Sequence, residues 1–146
     1  MTDKEFDFQY ALGTIPLDDL FDLAKYTSST HILKVLSKHT HFHVRSFVAG
    51  NKYTPVDVLT YLSKDRIAAV RCWLADNQST PAKILTYLSH DKEWAVRGYV
   101  SSNINTPPKV LTYLMKDEQW DVKFRASQNP NVQKSNDLIW ITSPKK

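Results

Sequence analysis

The stretches TPVDVLTYLSKD (54–65), TPAKILTYLSHD (80–91) and TPPKVLTYLMKD (106–117) are near-copies, and each begins 26 residues after the one before. A weaker copy, SSTHILKVLSKH (28–39), precedes them at the same offset. Self-similarity at a fixed period of this length is typical of helical repeats, which bury their apolar faces only against neighbouring units. The sequence therefore predicts a stack of units over about residues 28–131.

Each copy is followed by a second recurring segment with its own apolar stripe. The four segments are HVRSFVAGN (43–51), AVRCWLADN (69–77), AVRGYVSSN (95–103) and DVKFRASQN (121–129). At 100° per residue, Val70, Trp73 and Leu74 share one face of a helix and are expected to be buried. The pattern predicts paired helices at about 54–64 and 67–76, at the equivalent positions of the other units, and no strands.

Short polar motifs indicate where these helices begin and end. A Thr-Pro pair predicts a helix start, because the Thr hydroxyl can cap free N–H groups and Pro fits the first turn, where a backbone N–H has no helical partner. An Asn closes each second segment, since Asn tolerates the left-handed conformation and its amide can hold the neighbouring loop. The pairs begin at Thr54, Thr80 and Thr106, and the asparagines are Asn51, Asn77, Asn103 and Asn129.

These observations predict an all-α protein, a single α-solenoid domain over 1–146 with four 26-residue two-helix repeats and a capping segment at each end. The predicted boundaries are 1–27 for the N-terminal cap, 28–53, 54–79, 80–105 and 106–131 for the repeats, and 132–146 for the C-terminal cap and tail. The first cap contains an amphipathic helix at 15–26 with Pro16 near its start. The second has DLIWI (137–141), with Trp140 as an anchor over the last repeat.

The segment DKEWAVRGYVSSNINTPPKVLTYL (91–114) resembles the leucine-rich repeat variant family, whose units run Asp, Val-Arg, Asn, Thr-Pro, Leu. The spacing of Asp91, Val96 and Arg97 is also similar to the signature of HEAT repeats. Both resemblances imply a curved helical superhelix. The unit here is slightly longer than that of the variant family, and His39 replaces the Asp of the first copy. The cysteines of the iron–sulfur domain found in some members are missing, so no cofactor is expected.

The composition is that of a soluble globular chain, with 42% hydrophobic and 23% charged residues. No apolar run is long enough to span a bilayer, and the charged N-terminus does not resemble a secretory signal. The single cysteine, Cys72, excludes an internal disulfide and a thiolate metal cluster, and favours a cytoplasmic location. Residues 1–23 carry a net charge of −5, and because the whole chain has a net charge of +4, residues 24–146 carry +9. This uneven distribution hints at an acidic partner.

A basic residue recurs in every second segment: Arg45, Arg71, Arg97 and Lys123. These positions could clamp phosphates, but three of the four units carry an Asp six residues earlier, namely Asp65, Asp91 and Asp117. The pattern favours a structural ladder, in which each cation pairs with an Asp of its own or the adjacent repeat. We call this set the arginine ladder.

A tyrosine column and a set of lysines form the candidate binding surface. The column is Tyr61, Tyr87 and Tyr113, and beside it lie Lys83 and Lys109, then Lys38, Lys64, His90 and Lys116, with Asp57 interrupting the row. The amphipathic geometry favours tyrosines that pack between repeats with their hydroxyls at the surface, although aromatic columns also stack bases or peptides. The lysines suit a polyanion or an acidic peptide, or form only a solvated face.

Three further features have alternative interpretations. His39 and His43 could share a helical face as zinc ligands do, but no Cys or acid accompanies the tract 39–43, which falls in a turn, and the question stays open. Trp94 and Trp120 share one repeat position and are expected to be inter-repeat packing. Cys72 occupies a position that holds Ser, Gly or Phe in the other copies, which does not fit a nucleophile.

The sequence thus predicts a non-enzymatic scaffold that binds a protein or an acidic peptide on a curved face. The alternative is a nucleic-acid binder that uses the lysines and tyrosines. Neither a metal, a small-molecule substrate nor a membrane is expected as a ligand. The residues expected to bind the partner are Lys64, Lys83, Lys109, Lys116, Tyr61, Tyr87 and Tyr113.

Overall fold

The structure, a computed structural model, describes residues 1–132, so the predicted anchor Trp140 and the segment 137–141 lie outside the described residues. Within this part the chain forms helices of seven to ten residues. They are α1 (Asp3–Ala11), α2 (Leu17–Tyr26), α3 (Thr30–Leu36), α4 (Phe42–Gly50), α5 (Val56–Leu62), α6 (Ala68–Asp76), α7 (Ala82–Leu88), α8 (Trp94–Ser102), α9 (Pro108–Leu114) and α10 (Trp120–Gln128). Residues 130–132 are helical as well.

The described residues contain no strand, which confirms the predicted all-α class for this part of the chain. The helices at 56–62 and 68–76 are slightly shorter than the predicted 54–64 and 67–76. The longest helix, α2, has ten residues, about half of what a bilayer crossing requires, and none of the described helices could span a membrane.

Neighbouring helices pack in a regular order. The even-numbered helices contact one another in sequence, α2 with α4, α4 with α6, α6 with α8 and α8 with α10. Each of α5, α7 and α9 contacts the even-numbered helix before it and the one after it. The core between the two sets is built from equivalent leucines and valines: Leu33, Leu59, Leu85 and Leu111 from the odd-numbered helices, and Val44, Val70, Val96 and Val122 from the even-numbered ones.

The Thr-Pro pairs act differently from the prediction that Thr caps the helix. Pro55 is the N-cap residue of α5, and no side chain caps that helix. The Thr54 hydroxyl instead donates to the carbonyl of Val48 at 2.6 Å. Thr80 and Thr106 make the same backward contact, to Leu74 and Val100. The capping prediction is therefore wrong, because the buried hydroxyl serves the end of the preceding helix rather than the start of the next.

The recurring asparagines hold adjacent units together through buried amides. Asn77 Nδ2 donates to the carbonyls of Ala49 and Asn51, at 2.8 and 3.1 Å, and its Oδ1 accepts from the Ser79 N–H. Asn51, Asn103 and Asn129 make equivalent bonds. None of the four is left-handed, since their φ angles lie between −75° and −66°. The conformational reason given for these residues is wrong, and the amide hydrogen bonds are what the position requires.

The N-terminal cap contains a helix that the periodicity did not predict. Thr2 caps α1 by accepting from the N–H of Glu5, whose carboxylate accepts from the N–H of Thr2 in return. Phe6 is fully buried and anchors α1 to the rest of the core. The second helix of the cap, α2, begins directly after Pro16 and ends at Tyr26, as the amphipathic pattern indicated.

Three tryptophans are more exposed than the sequence suggested. Trp73 was expected in a buried stripe, and Trp94 and Trp120 were expected between repeats, but they are 44%, 49% and 71% exposed. The apolar faces of α6, α8 and α10 are occupied by smaller residues such as Val70 and Ala75. Trp73 is covered in part by Phe47 and Trp120 stacks on Phe124, but a large part of each indole stays exposed.

Candidate binding face

Three grooves of similar construction lie between successive odd-numbered helices, and each has a tyrosine wall. We call the surface formed by Tyr61, Tyr87, Tyr113 and these grooves the tyrosine face. The grooves have volumes of about 710, 490 and 440 Å³, and residues at equivalent repeat positions line them. The first is lined by Lys38, Arg45, Tyr61, Lys64 and Asp65, and the second by Lys64, Arg71, Tyr87, His90 and Asp91. The third is lined by His90, Arg97, Tyr113, Lys116 and Asp117.

The tyrosines themselves are 55%, 56% and 51% exposed, in chain order. This exposure does not agree with the interpretation that they pack between repeats. The aliphatic residues on either side, Leu59 and Leu62 in the first case, are buried, so the ring is held at the edge of the core. Only Tyr113 has a described side-chain partner, as its hydroxyl lies 3.2 Å from His90 Nδ1. An exposed ring beside a groove is available to a ligand.

The floor of each groove is a bidentate pair from the arginine ladder. Arg71 Nε and Nη2 donate to Asp91 Oδ2 and Oδ1 at 2.6 and 3.0 Å, and Nη1 donates to the carbonyl of Asp65 at 2.7 Å. The same contacts join Arg45 to Asp65 and Arg97 to Asp117. The side-chain partner is therefore the Asp 20 residues later, while the Asp six residues earlier offers only its backbone oxygen.

These ion pairs change the titration of two carboxyls. Burial favours the neutral form of Asp65, but hydrogen bonds from Arg45 and from the Ile67 N–H, with the charges of Arg45 and Arg66, hold its pKa below the usual value. The hydrogen bond from Arg97 likewise lowers the pKa of Asp117. The ionised carboxylates are thus paired with the guanidiniums, and because most of their N–H donors are used, these arginines have few left for a phosphate.

The fourth position of the arginine ladder is Lys123, and it does not form the pair that the three arginines form. Lys123 lies exposed on α10 and makes no salt bridge with any of the described carboxylates. An equivalent of Asp117 one period later would be residue 143, which is a Ser. The ladder of bidentate pairs therefore comprises three members within the described chain.

The lysines fall into two groups. Lys64 lines both the first and the second groove, and Lys116 lines the third. Lys83 and Lys109 are exposed on the first turns of α7 and α9 but line none of the three grooves. Asp57, at the position equivalent to theirs, pairs with Lys34 at 3.1 Å. The structure thus joins Lys64 and Lys116 to the tyrosines and separates Lys83 and Lys109 from them.

The histidine tract is divided by the start of α4. His39 precedes the helix, and its Nδ1 accepts from the N–H of His41, which is the N-cap residue. His39 and His43 therefore do not share a helical face. His41 and His43 pack against Phe21, with ring centroids 5.5 and 6.2 Å away. Among the described residues, no group of three or more His, Cys, Asp or Glu side chains is arranged to hold a metal ion.

An aromatic row on the even-numbered helices escaped the sequence reasoning. Phe47, Trp73 and Tyr99 recur at intervals of 26 residues, and the rings of Phe47 and Trp73 meet edge to face at 5.8 Å. We call these three residues the aromatic row. The signal was available in the repeat alignment, where one position is Phe, Trp, Tyr and then Arg125. Phe47 is partly buried against the core, whereas Trp73 and Tyr99 are 44% and 38% exposed.

The chain was also compared with known proteins. No protein-family model, curated protein or solved structure matches it.

Proposed function

We propose that this chain is an α-solenoid of four 26-residue repeats, similar to the leucine-rich repeat variant and HEAT families, and that it is a non-enzymatic scaffold. Its proposed ligand is an acidic, extended segment of a partner protein, bound along the tyrosine face. The solenoid is supported by contacts that recur with the period, since Asn77, Asn103 and Asn129 each donate to a carbonyl 26 residues earlier. A free Cys72 suits a reducing location such as the cytoplasm.

The observation that carries the proposal is the recurrence of one groove three times. Each groove combines an exposed tyrosine with basic residues at its rim, while the carboxylates of its floor are already paired with arginines. A ligand therefore meets unpaired cations and an amphipathic ring, a combination suited to carboxylates and short apolar side chains. The repetition favours a linear ligand over a compact one.

The rim charge is uneven along the face. Arg66 lines the first groove, Lys92 lines the second at the equivalent position, and Glu118 takes that position in the third. The first two grooves thus hold the stronger positive field. Packed helices lie roughly 9–10 Å apart, and an extended peptide advances about 3.3 Å per residue, so one groove would accommodate roughly three residues.

A single-stranded nucleic acid is the second candidate. It is favoured by the regular series of half-exposed tyrosines beside cations, since each ring could stack on an unpaired base. It is the weaker candidate because the three arginines best suited to phosphate are bound to Asp65, Asp91 and Asp117.

The two candidates are separated by titrating the protein with a fluorescent twelve-residue peptide of alternating Glu and Leu and with a twelve-nucleotide oligothymidine, each over a salt series. We expect the peptide to bind more tightly. Lys64→Glu should weaken it, and Lys52→Glu should not, because Lys52 is exposed but lines none of the three grooves.

Tyr87→Ala then distinguishes the modes of recognition. A loss confined to the oligonucleotide, worth about 1–3 kcal/mol per stacked base, would establish the nucleic-acid alternative. If neither probe binds at low salt, the tyrosine face is only a solvated surface and the proposal is wrong.

A further inference from the structure

A hollow of about 410 Å³ lies between α6 and α8, on the side of the molecule that carries the aromatic row. It is lined by Ala69, Cys72, Trp73, Asp76, Ala95 and Tyr99. Small side chains form its floor, and two aromatic side chains and one carboxylate complete its lining. A hollow of this size is at the small end of ligand sites, and suits one side chain or head group rather than a whole peptide.

The position of Trp73 in this hollow is fixed from behind. A Cβ at Gly50 would lie 2.7 Å from Trp73 Cε3, so the indole rests on bare backbone of α4. The ring of Phe47 meets the indole edge to face. Because both supports belong to the neighbouring helix, the indole is held in place before any ligand arrives.

The two ends of the aromatic row already bind cations of the chain itself. At one end Lys25 Nζ lies 6.0 Å from the ring centroid of Phe47. At the other, Arg125 Cζ lies 5.9 Å from the centroid of Tyr99, and Arg125 Nε donates to Asp121 Oδ2 at 2.7 Å. The second arrangement is a guanidinium between an aromatic ring and a carboxylate, a favourable combination of cation–π and ionic attraction.

The middle of the row has the ring and the carboxylate without the cation. Trp73 and Tyr99 supply the aromatic surfaces, and Asp76 is exposed and forms no salt bridge with the described residues. In the repeat alignment Tyr99 holds the position that Arg125 takes one repeat later, so a second aromatic ring stands where that cation would be, and no described basic residue lines the hollow.

We propose that the hollow between α6 and α8 binds the cationic end of a partner's side chain, an ammonium or guanidinium group, held between Trp73, Tyr99 and the carboxylate of Asp76. This site is separate from the tyrosine face, since the two share no lining residue. It would let one chain hold an acidic ligand on one surface and a basic side chain on the other.

The site is tested by following the indole N–H signal of Trp73 by NMR. The probes are choline, its neutral isostere 3,3-dimethylbutan-1-ol, and Gly-Ser peptides that carry one lysine, trimethyllysine or arginine. We expect choline to bind about tenfold more tightly than the neutral isostere, because the attraction depends on the charge. Equal affinity for the two would reduce the site to an apolar hollow and overturn the proposal, as would binding of none of the probes.

The variants assign the interaction to its residues. Asp76→Asn is isosteric and exposed, so the fold should be unchanged while choline affinity falls about fivefold or more. Asp18→Asn, an exposed acid on α2, is the matched control and should have no effect. Trp73→Ala lacks the indole signal, so its choline affinity is measured by isothermal titration calorimetry beside that of the unchanged chain, and it should be weaker. Trp94→Ala removes a similarly exposed tryptophan outside the hollow and should leave the affinity unchanged.

The source of the cation is decided by comparing probes. Tighter binding of any peptide than of choline supports a partner side chain, because the surrounding peptide then adds contacts. Tighter binding of free choline would show that the ligand is a small molecule and would overturn the assignment to a partner protein. An unchanged affinity in Asp76→Asn would remove the carboxylate from the site and with it the proposed selectivity.

Discussion

Asp91 accepts two parallel hydrogen bonds from Arg71, Nε to Oδ2 at 2.6 Å and Nη2 to Oδ1 at 3.0 Å, and both side chains are only 8% exposed. The third donor of the same guanidinium, Nη1, binds the carbonyl of Asp65. One side chain therefore joins the loop before its own helix to the loop before the next even-numbered helix. A buried pair of this geometry gives the packing of α6 and α8 a defined register.

Loss of one partner should be costly, since it leaves a buried charge unpaired. We expect Arg71→Ala to lower the free energy of unfolding by about 3 kcal/mol. Lys83→Ala is the exposed control and should change it by less than about 0.5 kcal/mol. Urea denaturation of both variants measures the difference. Small and equal losses would mean that the guanidinium is solvated and free to bind a ligand.

The asparagine amides should contribute about as much to the free energy of unfolding as the ion pairs do. Asn77→Ala leaves the carbonyls of Ala49 and Asn51 and the N–H of Ser79 without their partner, so a loss of about 3 kcal/mol is expected. Asn77→Asp should be at least as harmful, because a carboxylate would face two carbonyl oxygens.

Gln78→Ala is the control for this pair of variants, since the Gln78 side chain is exposed and should contribute less than about 0.5 kcal/mol. Thermal denaturation followed by circular dichroism compares all three. A melting temperature of Asn77→Ala equal to that of Gln78→Ala would contradict the role given to the buried amide.

Two threonines of one repeat provide a matched test of burial. The hydroxyl of Thr80 is buried and donates to the Leu74 carbonyl, whereas that of Thr86 is exposed and donates to Ala82. Thr80→Val should cost about 1–2 kcal/mol, and Thr86→Val should change stability by less than about 0.5 kcal/mol. Denaturant melts of the two isosteric variants measure this. The reverse order would contradict the role given to the buried hydroxyl of Thr80.

Acid should destabilise the chain through the depressed carboxyls. The pKa values of Asp65 and Asp117 are lower in the folded chain than in the unfolded one, so their contribution is present at neutral pH and is lost as pH falls below about 4. Urea midpoints from pH 7 to pH 2.5 should therefore decline. In Asp65→Asn the decline should be shallower, and an unchanged slope would show that Arg45 does not stabilise the ionised form.

Binding of an acidic peptide should depend on which lysine is reversed. Lys64 lines two grooves, whereas Lys109 lies outside all three, although the sequence pattern grouped them together. We expect Lys64→Glu to weaken the peptide about tenfold, equivalent to about 1.4 kcal/mol, and Lys109→Glu to have a clearly smaller effect. Fluorescence anisotropy at fixed salt measures both. Equal losses of affinity in the two variants would indicate that the peptide responds to the overall positive charge of the surface and not to defined grooves.

The period of 26 residues explains which features could be predicted from the sequence and which could not. It located helices α3 to α10 and the helical class, because apolar spacing determines which residues can share a buried face. It could not identify the partner of Arg71, since a repeat that places Asp65 six residues before the arginine also places Asp91 twenty residues after it. Only the packing of α6 on α8 selects the second for the side chain.

The candidate site was less predictable for a related reason. Helical angles placed Tyr87 at the border of the apolar arc, where the neighbouring helix determines whether a ring is covered. They did not separate Lys64 from Lys109, because both lie on the polar side of their helices. Trp73 shows the same limit, because its spacing from Val70 and Leu74 predicted burial, whereas the indole rests against Gly50 of the neighbouring helix and stays 44% exposed.

Cross-unit partners in this chain are separated by fixed numbers of residues, 20 from Arg71 to Asp91 and 26 from Asn77 to Asn51. An internal duplication of 26 residues would therefore supply each new arginine and asparagine with a partner at the usual distance along the chain. An insertion of any other length would change these separations, and the pairs would be kept only if a surface loop absorbed the extra residues. We therefore expect gain or loss of whole 26-residue units to keep these pairs and to lengthen or shorten the tyrosine face one groove at a time.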